Sequence, residues 1–187
     1  QQDYARIKAA VEAKVPTYFS LVPRTPLVIR PYPPYREKFE AGGSYDSGTP
    51  DASRPGTFYF NAYDLPSRFT WEETTLFLHE GEPGHHFQIN LQYENTELPP
   101  FRRDSLSTAF VEGWGEYSSF LAGELGMYQD PYERCGRLLF DAFLTSRLVV
   151  DTGMNLLGWT RERAMAYMLE NTIQSETEIK TETLRYS

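Results

Sequence analysis

All three histidines of this 187-residue chain fall in one short stretch, Phe77-Leu78-His79-Glu80-Gly81-Glu82-Pro83-Gly84-His85-His86-Phe87-Gln88. Imidazoles crowded together in an otherwise acidic chain are what a borderline-soft metal requires. Their spacing restricts how the chain can fold. The usual zinc-peptidase pattern puts two histidines at i and i+4 of one helix with a glutamate between them. Here the second histidine comes at i+6 or i+7. On an unbroken helix that is a rise of roughly 9–10.5 Å, against about 6 Å for i,i+4, which is an awkward reach for two rings sharing one ion. Pro83-Gly84 offers a remedy, because proline removes a backbone donor and glycine permits a tight path. The expected structure is therefore a helix that breaks in a two-residue bulge between Glu80 and His85. His79 and His85 are the preferred ligands. His86 is the alternative ligand, or a group behind the ligands or facing substrate.

A third ligand must be an oxygen donor, since no histidine remains. Val111-Glu112-Gly113-Trp114-Gly115-Glu116-Tyr117 places two glutamates four residues apart, on one helix face. The two glycines have no justification in helix propensity, where each costs up to about 1 kcal/mol. They would let another backbone or a ligand approach closely. Glu112 is the ligand choice. Glu116 is the alternative, or an acceptor for an imidazole N–H.

The formal net charge is -8, from 26 acidic and 18 basic residues, and no Lys/Arg-rich stripe exists. Unspecific nucleic-acid binding is disfavoured, because phosphate neutralisation needs clustered cations, and an anionic membrane surface is disfavoured for the same reason. No apolar run is long enough to span a bilayer. The single cysteine, Cys135, excludes an internal disulfide. Gln1–Arg6 is not a signal peptide. Both ends read as cut, so the chain is expected to be one domain, residues 1–187, from a larger protein whose remainder packs against it.

Apolar content of 40% and aromatic content of 15% support a packed core. Ile7, Val11 and Val15 mark a helix over 3–15. Leu27-Val28-Ile29-Arg30 and Thr57-Phe58-Tyr59-Phe60-Asn61 are strand candidates, with a polar loop over 41–56 between them. Thr70 with Glu73 forms a capping box before a helix over 71–79. A long helix runs from about 105 to 125. Asp130-Pro131-Tyr132-Glu133 starts another, to about Val150 or slightly beyond. Thr160 opens a further helix, and Ser175 with Glu178 caps a last one. The fold class is mainly α with a small β-sheet.

With these residues in view, the chain resembles the bacterial proteins known as domain of unknown function 885. The likeness rests on Arg54-Pro55-Gly56 with Phe58-Tyr59-Phe60-Asn61, the histidine block, Glu112-Gly113-Trp114, Arg147 with Leu148-Val149-Val150-Asp151-Thr152-Gly153, and Gly158-Trp159-Thr160. Arg185-Tyr186 resembles the start of the family's last segment. The resemblance implies a helical metallopeptidase core of the glutamate-zincin type, with His79, His85 and Glu112 on Zn(2+) and Glu80 as catalytic base. It also suggests a cell-envelope or secreted location, in places lipid-anchored. The family usually carries a histidine where this chain has Asn155. Asparagine donates a hydrogen bond but neither carries charge nor shuttles a proton.

The expected chemistry is zinc-assisted hydrolysis of a peptide or small amide, with Glu80 taking the proton of the attacking water. Asn155, Tyr186 and Tyr117 are candidate oxyanion donors. Arg147 and Asp151, four residues apart, are expected to pair and shape the site wall. The competing readings are a metal-dependent esterase or cell-wall amidase, and a catalytically inactive binding module that keeps the fold.

Overall fold

The computed structural model describes residues 1–187. Three strands, β1 (Leu27–Pro31), β2 (Gly43–Asp46) and β3 (Gly56–Phe60), pair in the order β1-β3-β2. β3 runs parallel to β1, with Leu27 opposite Gly56, and antiparallel to β2, with Gly43 opposite Phe60. On β3 the side chains alternate: Phe58 and Phe60 are buried while Thr57 and Tyr59 are half-exposed. The sequence reading missed β2, which lies within the expected 41–56 loop. Its Gly-Ser-Tyr-Asp run has no apolar alternation, and pairing with β3 makes it a strand. β3 is the central strand with both edges paired, so no extended peptide can add to it.

Nine helices accompany the sheet: α1 (Gln2–Glu12), α2 (Val15–Tyr18), α3 (Glu73–Glu80), α4 (His85–Glu94), α5 (Pro100–Arg103), α6 (Thr108–Leu121), α7 (Pro131–Leu157), α8 (Arg161–Asn171) and α9 (Glu176–Arg185). The architecture is thus mainly α with a small mixed sheet. The start signals hold for α7 and α8. Asp130 accepts the Tyr132 N–H at 2.8 Å, and Thr160 accepts from Arg163 at 3.3 Å. Only half the expected box forms at α9. Ser175 accepts from the Glu178 N–H, but the Glu178 carboxylate takes the Gly42 N–H and pairs with Arg68 instead. The Thr70–Glu73 box does not form. Thr70–Glu72 is a 3-10 turn, and α3 begins at Glu73 with no side-chain cap.

Two apolar clusters hold the elements. In the first, Tyr4, Ile7 and Val11 of α1 pack on Phe58 and Phe60 of β3, Phe77 and Leu78 of α3, and Phe87 of α4. Tyr4 and Phe77 both meet the Phe58 ring edge-on, at centroid distances of 5.0 and 5.9 Å. Truncating a phenylalanine in such a core costs about 3–5 kcal/mol. The second joins Phe143 and Val150 of α7, Ala164 and Met168 of α8, and Ile179 of α9. α3 belongs to the first cluster, and a hydrogen bond from Thr74 to Glu133 ties it to α7. No helix is long and apolar enough to cross a membrane.

Candidate metal centre

α3 ends at Glu80 and α4 begins at His85, so the helix breaks at the Pro83-Gly84 step. The turn is tight. A Cβ on Gly84 would stand 1.9 Å from the His79 carbonyl oxygen and 2.3 Å from that of Leu78, so only glycine lets the chain double back there. α6 clamps the turn. The Trp114 indole donates to the Pro83 carbonyl at 2.8 Å, and the Ser118 hydroxyl donates to the same oxygen at 3.3 Å. That oxygen would otherwise be a buried acceptor without a partner.

Folding back brings His79 and His85 together, edge to face, with centroids 4.7 Å apart. Glu112 reaches them from α6, its Oε2 3.4 Å from His79 Nε2 and 3.7 Å from His85 Nε2. Ligand atoms of His79, His85 and Glu112 all lie within 4.8 Å of one another, a cluster able to hold a metal ion. Both rings are buried, while Glu112 is exposed. The surroundings fit such an ion. A Cβ on Gly115 would stand 2.8 Å from His79 Nε2 and 2.8 Å from His85 Cε1, so this glycine makes the hollow the rings occupy. Two imidazoles and one carboxylate are also the donor set of a zinc site with an open position. Gly113 has no neighbour within 4 Å, so the close approach expected of both glycines belongs to Gly115 alone.

The other candidates are placed as follows. Glu80 Oε2 is 3.9 Å from His85 Nε2, on the cavity beside the cluster. Glu116 faces the opposite nitrogen of His79, Nδ1, at 3.7 Å, and is bonded to Arg137. His86 turns toward the sheet, where its Nδ1 meets the Tyr45 hydroxyl at 3.0 Å and the Asn90 amide at 3.1 Å. Arg147 lines the cavity and pairs with Glu182 at 3.0 Å, not with Asp151. Asp151 instead accepts from Asn155 at 2.6 Å on the exposed side of α7. The expected Arg147–Asp151 pair is corrected because the buried Glu182 of α9 offers the guanidinium a drier partner. Tyr186 donates to Glu182 at 2.7 Å, and Tyr117 is exposed beside Trp114. Asn155, Tyr186 and Tyr117 are not in the cavity wall.

The family profile described as "Bacterial protein of unknown function (DUF885)" matches residues 1–187. The chain belongs to this family. No curated protein matches it. Among solved structures it is similar to "the putative lipoprotein from Colwellia psychrerythraea", with 38% sequence identity and a TM-score of 0.94 over 99% of this chain. The match spans 32% of that protein's chain, so the DUF885 fold seen here is about a third of that relative's length.

The electrostatics of this DUF885 cluster follow from burial and crowding. Burial alone would depress His79, but Glu112 and Glu116 outweigh it and raise its pKa to about 9. Burial and the charge of His79 push His85 down. Two rings this close do not readily both become imidazolium, so a positive charge on His79 disfavours one on His85. Burial raises Glu80 to about 7, offset in part by His79. His86, buried and held down to about 4, stays neutral.

Sequence reasoning missed the supports of the site. Arg137 is 5% exposed, bonded to Glu116, with its guanidinium 4.1 Å from the Phe120 ring centre. Glu182, which anchors Arg147, Arg185 and Tyr186, is fully buried. Charged residues at these spacings on helices ordinarily face water, and nothing local distinguishes them. The indole–carbonyl bond of Trp114 had one available signal: an indole donor flanked on both sides by glycine.

Proposed function

We propose that His79, His85 and Glu112 hold a zinc ion and that this region hydrolyses peptide or small amide bonds, with Glu80 as general base. The observation that carries the reading is the convergence of two imidazoles and a carboxylate in a glycine-made hollow, with a second, partly buried carboxylate alongside. A zinc ion bound there lowers the pKa of water toward neutrality and polarises a carbonyl. Burial raises the pKa of Glu80 in the metal-free site, the direction that suits a group that must accept a proton and give it up again. It takes the proton of the attacking water and returns it to the leaving amine. Glu112 and the two imidazoles bind the ion, and Glu116 with Arg137 fixes the His79 ring from behind. For Asn155 and Tyr186 to serve as oxyanion donors, they would have to leave Asp151 and Glu182. Arg147 shapes the wall.

Two further readings rest on the longer relative. The relative's printed name as a lipoprotein supports an envelope location. Leu138, Leu148 and Leu156 on α7 are each more than two-thirds exposed, an apolar row that suits packing by the remaining two-thirds of a homologous longer chain.

The test is metal analysis with anomalous scattering, joined to Glu80→Gln. One zinc per chain between His79, His85 and Glu112 is expected, and it stays in E80Q while hydrolysis falls at least about a hundredfold. A panel of amide and ester substrates separates peptidase from esterase. Unchanged turnover in E80Q removes Glu80 from the mechanism. Failure to bind any divalent ion removes the enzyme reading.

A further inference from the structure

The cavity that opens at the metal cluster also meets two guanidinium groups that the hydrolysis scheme leaves without a task. It encloses about 740 Å³, a size that accommodates a few peptide residues. Arg147 of α7 and Arg185 at the end of α9 both line it. Glu182 stands behind them, with no exposed surface. Arg185 donates to one of its oxygens at 2.6 Å, and Tyr186 donates to the other at 2.7 Å. Arg147 Nε lies 3.0 Å from that second oxygen but is not aligned for a hydrogen bond. Burial works against ionisation of Glu182, yet the charges of Arg147 and Arg185 and the hydrogen bonds from Tyr186 and Arg185 hold its pKa below the usual carboxylate value.

Two guanidiniums against one carboxylate leave a net positive charge on this wall. A single buried anion fixes both cations from behind, and the Arg147 guanidinium also sits 4.5 Å over the Phe143 ring. Neither arginine has another carboxylate or carbonyl partner. Their side chains are 31% and 50% exposed, so donors remain free for a ligand in the cavity. His79, His85 and Glu112 line the same cavity as the two arginines, so one bound ligand can reach both. The third arginine of the wall, Arg68, is matched one to one by Glu178. Elsewhere the wall offers Asp3, Glu40 and Glu73, which repel an anion when ionised, and Glu72, which burial pushes toward its neutral form. A ligand carboxylate therefore has one favourable place, and a planar guanidinium fork matches it.

We propose that Arg147 and Arg185 receive the free C-terminal carboxylate of a short peptide whose carbonyl to be cleaved lies at the His79–His85–Glu112 cluster. The substrate class is then peptides cut close to their C-terminal end. The inference rests on the hydrolase reading for its cleavage step, but the carboxylate subsite can be measured without turnover.

The experiment titrates the zinc-loaded E80Q chain with acetyl-trialanine and, separately, with its C-terminal amide, following binding by protein NMR to millimolar concentration. At least tenfold tighter binding of the acid is expected. In Arg185→Met on the same background, acid and amide should bind within twofold of each other, with zinc content unchanged. Arg185→Lys keeps one charge without the fork and should fall between the two. Equal binding of acid and amide by the E80Q parent, no detectable binding of the acid, or a preference that survives R185M would each overturn the subsite. Failure of the hydrolase reading shows differently, as a protein that prefers the acid yet cleaves nothing in its Glu80 form.

Discussion

Gly115 gives the sharpest handle on the metal centre, because one added methyl group sets two effects of opposite sign against each other. In Gly115→Ala the new Cβ would lie 2.8 Å from His79 Nε2 and 2.8 Å from His85 Cε1. Unstrained contacts fall near 3.5 Å or beyond, so each ring must retreat by about 0.7 Å. Helix propensity favours alanine by about 1 kcal/mol, while overpacking costs about 1–3 kcal/mol. The metal-free protein should therefore lose no more than about 2 kcal/mol. Metal binding should suffer more clearly, since ligand distances tolerate only about 0.2 Å of error. A loss of at least tenfold in zinc affinity is expected, equivalent to about 1.4 kcal/mol. Gly113→Ala is the matched control: it is two residues away on the same helix, with nothing within 4 Å of its Cβ. That variant should gain about 1 kcal/mol in urea unfolding and keep its zinc affinity. Competition against a chromogenic chelator reads the affinities. If G115A binds zinc within twofold of wild type, or no worse than G113A, the hollow at Gly115 is not where the ion sits.

Three other outcomes can be checked. Glu116→Ala strips the carboxylate from Arg137, whose side chain is only 7% exposed, and should cost about 3 kcal/mol in urea unfolding. The double change Glu116→Leu with Arg137→Met should recover most of that, and full additivity of the two single losses would speak against a coupled pair. Glu72, which accepts from Gln174 at 2.9 Å, has its pKa raised to about 7, chiefly by burial. The folded protein therefore binds this proton more tightly than the unfolded chain, and its contribution is present below about pH 4.5 and lost as pH rises through 7. Glu72→Gln should match wild type near pH 4.5 and exceed it by up to about 3 kcal/mol at pH 8, and a pH-independent difference would refute the burial argument. Trp114→Phe removes the indole donor from the Pro83 carbonyl and should cost about 1–3 kcal/mol while weakening zinc binding, whereas zinc affinity equal to wild type would show that the clamp does not position His85.

The local signals in this sequence were strong where the physics is local. Asp130-Pro131 and Thr160 start their helices as their side chains dictate, and Phe58 and Phe60 bury alternate positions of a strand. The histidine block with Pro83-Gly84 required a broken helix, and the break lies there. Chemistry and spacing singled out His79, His85 and Glu112, but left His86 and Glu116 as rivals. Only the packed structure shows which way each points. His86 faces Tyr45 on β2, a strand invisible in sequence, and Glu116 is drawn to Arg137 on α7. Arg147 ignored its helical neighbour Asp151 for Glu182, which is distant in sequence. Periodicity and capping act over a few residues and are written in the order of the chain. The partner of a buried charge is set by which helices meet in three dimensions, where low dielectric strengthens the nearest opposite charge whatever its place in the sequence.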